Sequence, residues 1–158
     1  MRHPLLAVPG PLRGASGPDG FGTGHPGYPP GVTSTTSQQE LFRFLEDRFV
    51  CAQACTECAH ACALRAGLVA PDGTEPHERV RSQGILCADV CDATCRALSE
   101  DHRMDEAALH AQLEWCRTVC LETAHALDRH PGAHETAAAC RDCAKACTEF
   151  MATLVGTR

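Results

Sequence analysis

Cys51, Cys55, Cys58 and Cys62 recur at intervals of four, three and four residues, the spacing at which side chains return to one face of an α-helix. The same rhythm links Cys87, Cys91 and Cys95, then Cys116 and Cys120, then Cys140, Cys143 and Cys147, so all twelve cysteines fall into four stripes. A thiolate can attack, exchange electrons or bind a soft metal ion. At about 100° per residue, the first and fourth stripes each span an arc of about 60° and the second about 80°. Thiols therefore stand where Leu or Ile would normally build a core. Cysteine can act as a small core hydrophobe, but a core of Cys and Ala buries much less apolar area than one of Leu and Ile. The stripes read as ligands.

Spacing then selects the metal. Residues four apart on a helix hold their Cβ atoms about 5–6 Å from each other, close enough for two sulfurs to clamp one ion. One straight helix cannot easily wrap the closed tetrahedron that structural zinc prefers. Soft ligands at low coordination number favour Cu(I). The bacterial iron–sulfur run needs cysteines separated by two, two and three residues, whereas the first stripe has three, two and three. No Cys-x-x-Cys-His for c-type haem occurs. Charge sets the capacity: buried thiolates must be neutralised. About one Cu(I) per thiolate does this, a load on the order of a dozen ions.

Other candidates surround the stripes. On the predicted helices His77 points within about 40° of Cys91, and His130 within about 40° of Cys116. Both fall at one end, where they could receive copper. His134 is near but aims less well. His60, His110 and His125 lie far round their helices from the thiols and are expected at the surface. Met151 follows Cys147 by one turn and suits core packing better than ligation. His3 and His25 belong to a Pro/Gly-rich tail and are read as solvated. Glu114, Asp142 and Glu149 read as solvated helix charges, and no catalytic constellation emerges, so the chain is expected not to be an enzyme. Two rival functions remain. A thiol–disulfide redox protein would use Cys55-Thr56-Glu57-Cys58 or Cys140-Arg141-Asp142-Cys143, but such pairs need a helix N-terminus to activate the thiol. A single-ion copper chaperone needs one exposed site, which twelve inward thiols do not provide.

The elements that hold these stripes are legible too. Residues 1 to 36 contain seven Pro and eight Gly and are expected to be a disordered tail. Ser37-Gln38-Gln39-Glu40 is a capping box opening a helix over about 38–66. Further helices are predicted over about 75–98 (Thr74 as cap), 104–129 and 134–154. Between them fall Gly67, Ala70-Pro71-Asp72-Gly73, Ser99-Glu100-Asp101-His102 and His130-Pro131-Gly132. The expected fold is all-α, an antiparallel up-down-up-down four-helix bundle with a Cys-lined core, occupying residues 37–155. Leu41, Phe44, Leu45, Leu98, Leu109, Leu113, Met151 and Leu154 would plug the end opposite the histidines. The net charge of −6 and the lack of basic runs exclude a nucleic-acid binder. No run reaches the length of a membrane span. The Met1–Gly10 stretch lacks an export-signal core, so a cytosolic, reduced protein is expected.

Cys51-x-x-x-Cys55-x-x-Cys58-x-x-x-Cys62, Cys87-x-x-x-Cys91-x-x-x-Cys95 and Cys140-x-x-Cys143-x-x-x-Cys147 together resemble the bacterial copper storage proteins over about residues 38–154. The resemblance implies a homotetramer of four-helix bundles, each storing many Cu(I) ions along its axis, in the cytosolic branch of the family. The chain departs from the richer members in its third helix, which offers only Cys116 and Cys120, and in its long N-terminal tail.

Overall fold

The computed structural model describes residues 33–69, 73–100 and 105–156. Most of the expected tail, with His3 and His25, lies outside them, as do the turn residues Ala70, Pro71, Asp72, Asp101 and His102. Four helices follow in order: α1 (Thr33–Leu68), α2 (Glu75–Ser99), α3 (Glu106–Leu127) and α4 (His134–Gly156). Each packs against its neighbours in sequence, and α4 closes the ring against α1. The bundle is up-down-up-down, as the short connections require. No described helix is long and apolar enough to cross a membrane.

Local chemistry explains most boundaries. The Asp105 carboxylate caps α3 by accepting the Ala108 N–H at 2.7 Å. Two turn glycines adopt positive φ, Gly73 at 69° and Gly132 at 72°, a region that costs other residues strain. Arg48 on α1 closes the C-terminus of α2, donating from Nε to the Leu98 carbonyl at 2.5 Å and from Nη2 to the Glu100 carbonyl at 3.3 Å. These contacts satisfy carbonyls that a helix end leaves without partners. Two boundaries differ from expectation. α1 begins one turn before the capping box, because Thr33–Thr36 holds no Gly or Pro to stop it. α3 ends at Leu127, short of the expected 129, and His130 sits in the turn that follows, as its place in the His130-Pro131-Gly132 break implied.

One end of the bundle is closed by Phe150, Leu113, Leu98, Met151 and Leu154, all buried, and Phe44 packs on Phe150 in a tilted arrangement with ring centroids 5.5 Å apart. Leu109 packs partly buried against this group. Leu41 and Leu45 do not join it; they are 57% and 46% exposed. With Phe42 and Phe49 they form an exposed apolar surface on the first half of α1, within an arc of about 100°. On the other side of the molecule Gly84 lets α1 and α2 approach: a Cβ there would stand 3.2 Å from the Cys62 carbonyl oxygen.

Candidate metal centre

Eleven of the twelve cysteines are buried and all twelve are free thiols. Their helices direct them inward by the periodicity already described, and the bundle then joins the four stripes into one column. From the histidine-bearing end, Cys62 Sγ lies 3.5 Å from Cys140 Sγ, and Cys140 lies 3.7 Å from Cys58. Cys58 reaches Cys87 and Cys120, each at 3.9 Å. Cys120 is 3.5 Å from Cys91, which touches Cys116 at 3.8 Å and Cys143 at 3.9 Å. Cys143 meets Cys55 at 3.7 Å, and Cys51 pairs with Cys147 at 3.9 Å at the plugged end. These separations are far beyond the roughly 2.05 Å of a disulfide and leave the sulfurs in mutual contact.

Three groups of four sulfurs lie within 4.8 Å of one another: Cys58, Cys62, Cys87 and Cys140; Cys58, Cys91, Cys120 and Cys143; Cys55, Cys116, Cys143 and Cys147. Cys58 and Cys143 are each shared by two groups. No two elements alone supply any group, so tertiary packing is what converts stripes into polydentate sites.

Hydrogen bonding between the sulfurs spreads their acidities apart. Cys51 is held down to about 5 by its bond to Cys147 and then to Cys55, against burial. Cys116 is lowered by bonds to Cys120 and Cys143. Cys147, bonded to both, moves the other way, raised by bonds to Cys116 and Cys143, and Cys140 is raised by bonds to Cys58 and Cys62. A shared proton can stay with only one sulfur, so each ionisation opposes the next. The column sheds its protons completely only if cations replace them. Three divalent ions, one per group, would leave four negative charges on the ten distinct thiolates involved. Monovalent ions matched one to one leave none.

Cys95 breaks the pattern. It is half-buried at the α1–α2 seam, 3.2 Å from Thr56 Oγ1. Thr56 gives its own hydrogen to the Ala52 carbonyl at 2.9 Å, so the Cys95 thiol donates to it. Cys95 sits about 80° round α2 from Cys87, and the buried Thr94, about 20° from it, takes the inward position instead. The eye follows cysteines in the sequence and passes over Thr94 and its counterpart Thr123, which also lies buried in the stripe of α3.

His77 and His130 are half-buried and His134 exposed, all at the end where α1 joins α2 and α3 joins α4. None shares a four-sulfur group. His60, His110 and His125 are exposed, and Met151 packs into the plug, both as expected. Arg65 Nη2 donates to the Pro131 carbonyl at 3.2 Å, tying the His130 turn to α1.

The profile of a family described as copper storage protein matches residues 37–152. Among solved structures, a cytosolic copper storage protein from Streptomyces lividans, described with five coppers during copper loading, is 36% identical. It covers 75% of this chain and 98% of its own, with a TM-score of 0.50. A single histidine-to-alanine variant of that protein is 36% identical over 74% of this chain and 96% of its own, TM-score 0.50. A double histidine-to-alanine variant is 35% identical over 73% and 96%, TM-score 0.50. No curated protein matches the chain.

Proposed function

The chain belongs to the copper storage protein family, and from that premise we propose that it sequesters many Cu(I) ions on the thiolates of its bundle core, buffering cytosolic copper. The contiguous sulfur column is the observation that carries this reading. Each entering ion displaces a proton to solvent and is passed to the next sulfur without leaving the column, because adjacent sulfurs are already in contact. The copper-binding domain comprises residues 37–155, and residues 1–36 take no part. Ligands are Cys51, Cys55, Cys58, Cys62, Cys87, Cys91, Cys116, Cys120, Cys140, Cys143 and Cys147, with Cys95 contributing least. A storage role needs no catalytic residue. A redox role is disfavoured by the burial of Cys55, Cys58, Cys140 and Cys143, since exchange requires access to the attacking thiol.

His77 and His130 receive copper at the histidine-bearing end, a role supported by their half-burial there. Titration of the reduced protein with Cu(I), under anaerobic conditions and against a chromophoric chelator, is expected to saturate near one ion per core thiolate. Zn(II) should not match it. Saturation at one or two equivalents would instead indicate a chaperone. Replacing His77 and His130 should slow loading and leave final capacity nearly unchanged. The family resemblance implies a homotetramer, and the apolar surface formed by Leu41, Phe42, Leu45 and Phe49 supplies area for assembly. Sedimentation analysis decides that point.

A further inference from the structure

Threonines in this bundle share a habit. Thr56, Thr94, Thr118 and Thr148 each donate the hydroxyl hydrogen to the carbonyl four residues earlier, a bond that any helical threonine can make, and Thr153 donates to Asp47 Oδ2 at 2.8 Å. Thr123 does neither. Its side chain is fully buried, and its Oγ1 has no hydrogen-bond partner among the described residues. A buried hydroxyl left this way costs the fold stability, and the isosteric valine would not.

Its position suggests what the hydroxyl is for. Thr123 lies three residues beyond Cys120, about 4.5 Å further along the axis and within about 60° of its direction. It therefore lies about one helical turn beyond Cys120 toward the histidine-bearing end of the column, the end that holds the group formed by Cys58, Cys62, Cys87 and Cys140. Cys120 is the link, 3.8 Å from Cys87 and 3.9 Å from Cys58. The stripes of the other helices continue at this end with Ala66, Gly84 and Ala137, all buried and all small. The opposite end offers a contrast. Thr94 occupies the matching place in α2, and its hydroxyl is fully used, donating to Val90 and accepting from Gln112 Nε2 at 2.9 Å.

Resting on the storage reading above, we propose that Thr123 is a positioning residue for the end group of thiolates. Its hydroxyl donates a hydrogen bond to a sulfur of Cys62, Cys87, Cys120 or Cys140 once Cu(I) has replaced that sulfur's proton, which leaves to solvent. In the metal-free protein Cys62, Cys87, Cys120 and Cys140 keep company with other thiols and the hydroxyl waits. In the loaded protein the sulfurs are acceptors only, and the hydroxyl becomes the neutral donor that steadies charge at the histidine-bearing end.

The full chain as wild type, Thr123→Val and Thr123→Ser settles this with two measurements: urea unfolding of the metal-free protein, and retention of loaded Cu(I) against a chromophoric chelator. Thr123→Val is expected to match or exceed wild type in metal-free stability, yet to yield its most weakly held copper at roughly tenfold lower chelator concentration, the scale of one hydrogen bond to a charged acceptor. Thr123→Ser should restore wild-type retention. Equal retention in Thr123→Val, failure of serine to rescue, or a metal-free instability that accompanies the loss would each overturn the assignment. A wild type that takes up no Cu(I) would remove the storage reading as well, a result distinct from a normally loading wild type whose valine variant is unaltered.

Discussion

Among single residues, sharing matters more than sulfur content. Cys58 and Cys143 each belong to two of the four-sulfur groups, whereas Cys95 bonds to a threonine at the helix seam. Cys58→Ala should therefore remove more than one equivalent of bound Cu(I), and Cys95→Ala should leave capacity nearly unchanged; the anaerobic titration measures both. Thr94→Val breaks a different kind of contact. It strands the Gln112 amide that now donates to Thr94 at 2.9 Å, and the expected loss is about 1–2 kcal/mol in urea unfolding of the metal-free chain. Cysteine spacing alone placed eleven thiols inside. It erred at Cys95 because the arc of about 80° across the second stripe is wide enough for its last member to leave the core, and a competing inward residue, Thr94, lay one position away.

Elements carry the burden of a core short of large side chains. The plugged end supplies most of the aliphatic and aromatic packing, centred on Phe150, which is fully buried against Phe44. Phe150→Ala should cost about 3–5 kcal/mol, read from urea unfolding of the metal-free protein. Gly84 sets the spacing of α1 and α2, since the first side-chain atom there already meets the Cys62 backbone at 3.2 Å. Gly84→Val should force the helices apart and lower stability by about 1–3 kcal/mol, measured in the same way. Helix number, order and approximate limits were legible in the sequence from the cysteine period and the Gly/Pro breaks. The plug was only partly so. Leu41 and Leu45 shared the heptad-like spacing of buried residues, but the face of α1 that bears them turns away from the neighbouring helices that Phe44 and Arg48 contact, and Phe150 has no cysteine-like marker to set it apart.

Taken whole, the molecule resembles a bundle with a hydrophobic stopper at one end and a titratable, metal-accepting axis. Cys55, Cys91 and Cys120 are raised above the ordinary thiol value by bonding to Cys116 first, with burial acting in the same direction. In the unfolded chain these groups ionise near about 8.5, while the folded protein keeps their protons. The stability they provide is thus complete below that pH and declines as pH rises through the raised values. Cys51 and Cys116, which are held low, act in the opposite sense, so the pH course of metal-free stability is a balance between the two sets. At neutral pH copper-loaded protein should melt above the metal-free form because the ions bind only the assembled column.

Sequence by itself determined that the thiols line up, that the chain forms helices and that their inner faces hold sulfur, because helical periodicity is a local property written every three or four residues. Tertiary structure alone decided which sulfurs meet. Cys62 finds Cys140 across 78 residues and Cys55 finds Cys143 across 88, and only the antiparallel register of four helices fixes those levels. The same register exposed the thiol of Cys95 to the seam and left the hydroxyl of Thr123 buried without a hydrogen-bond partner among the described residues, since the surroundings of a side chain inside a bundle depend on which neighbours fill the space around it.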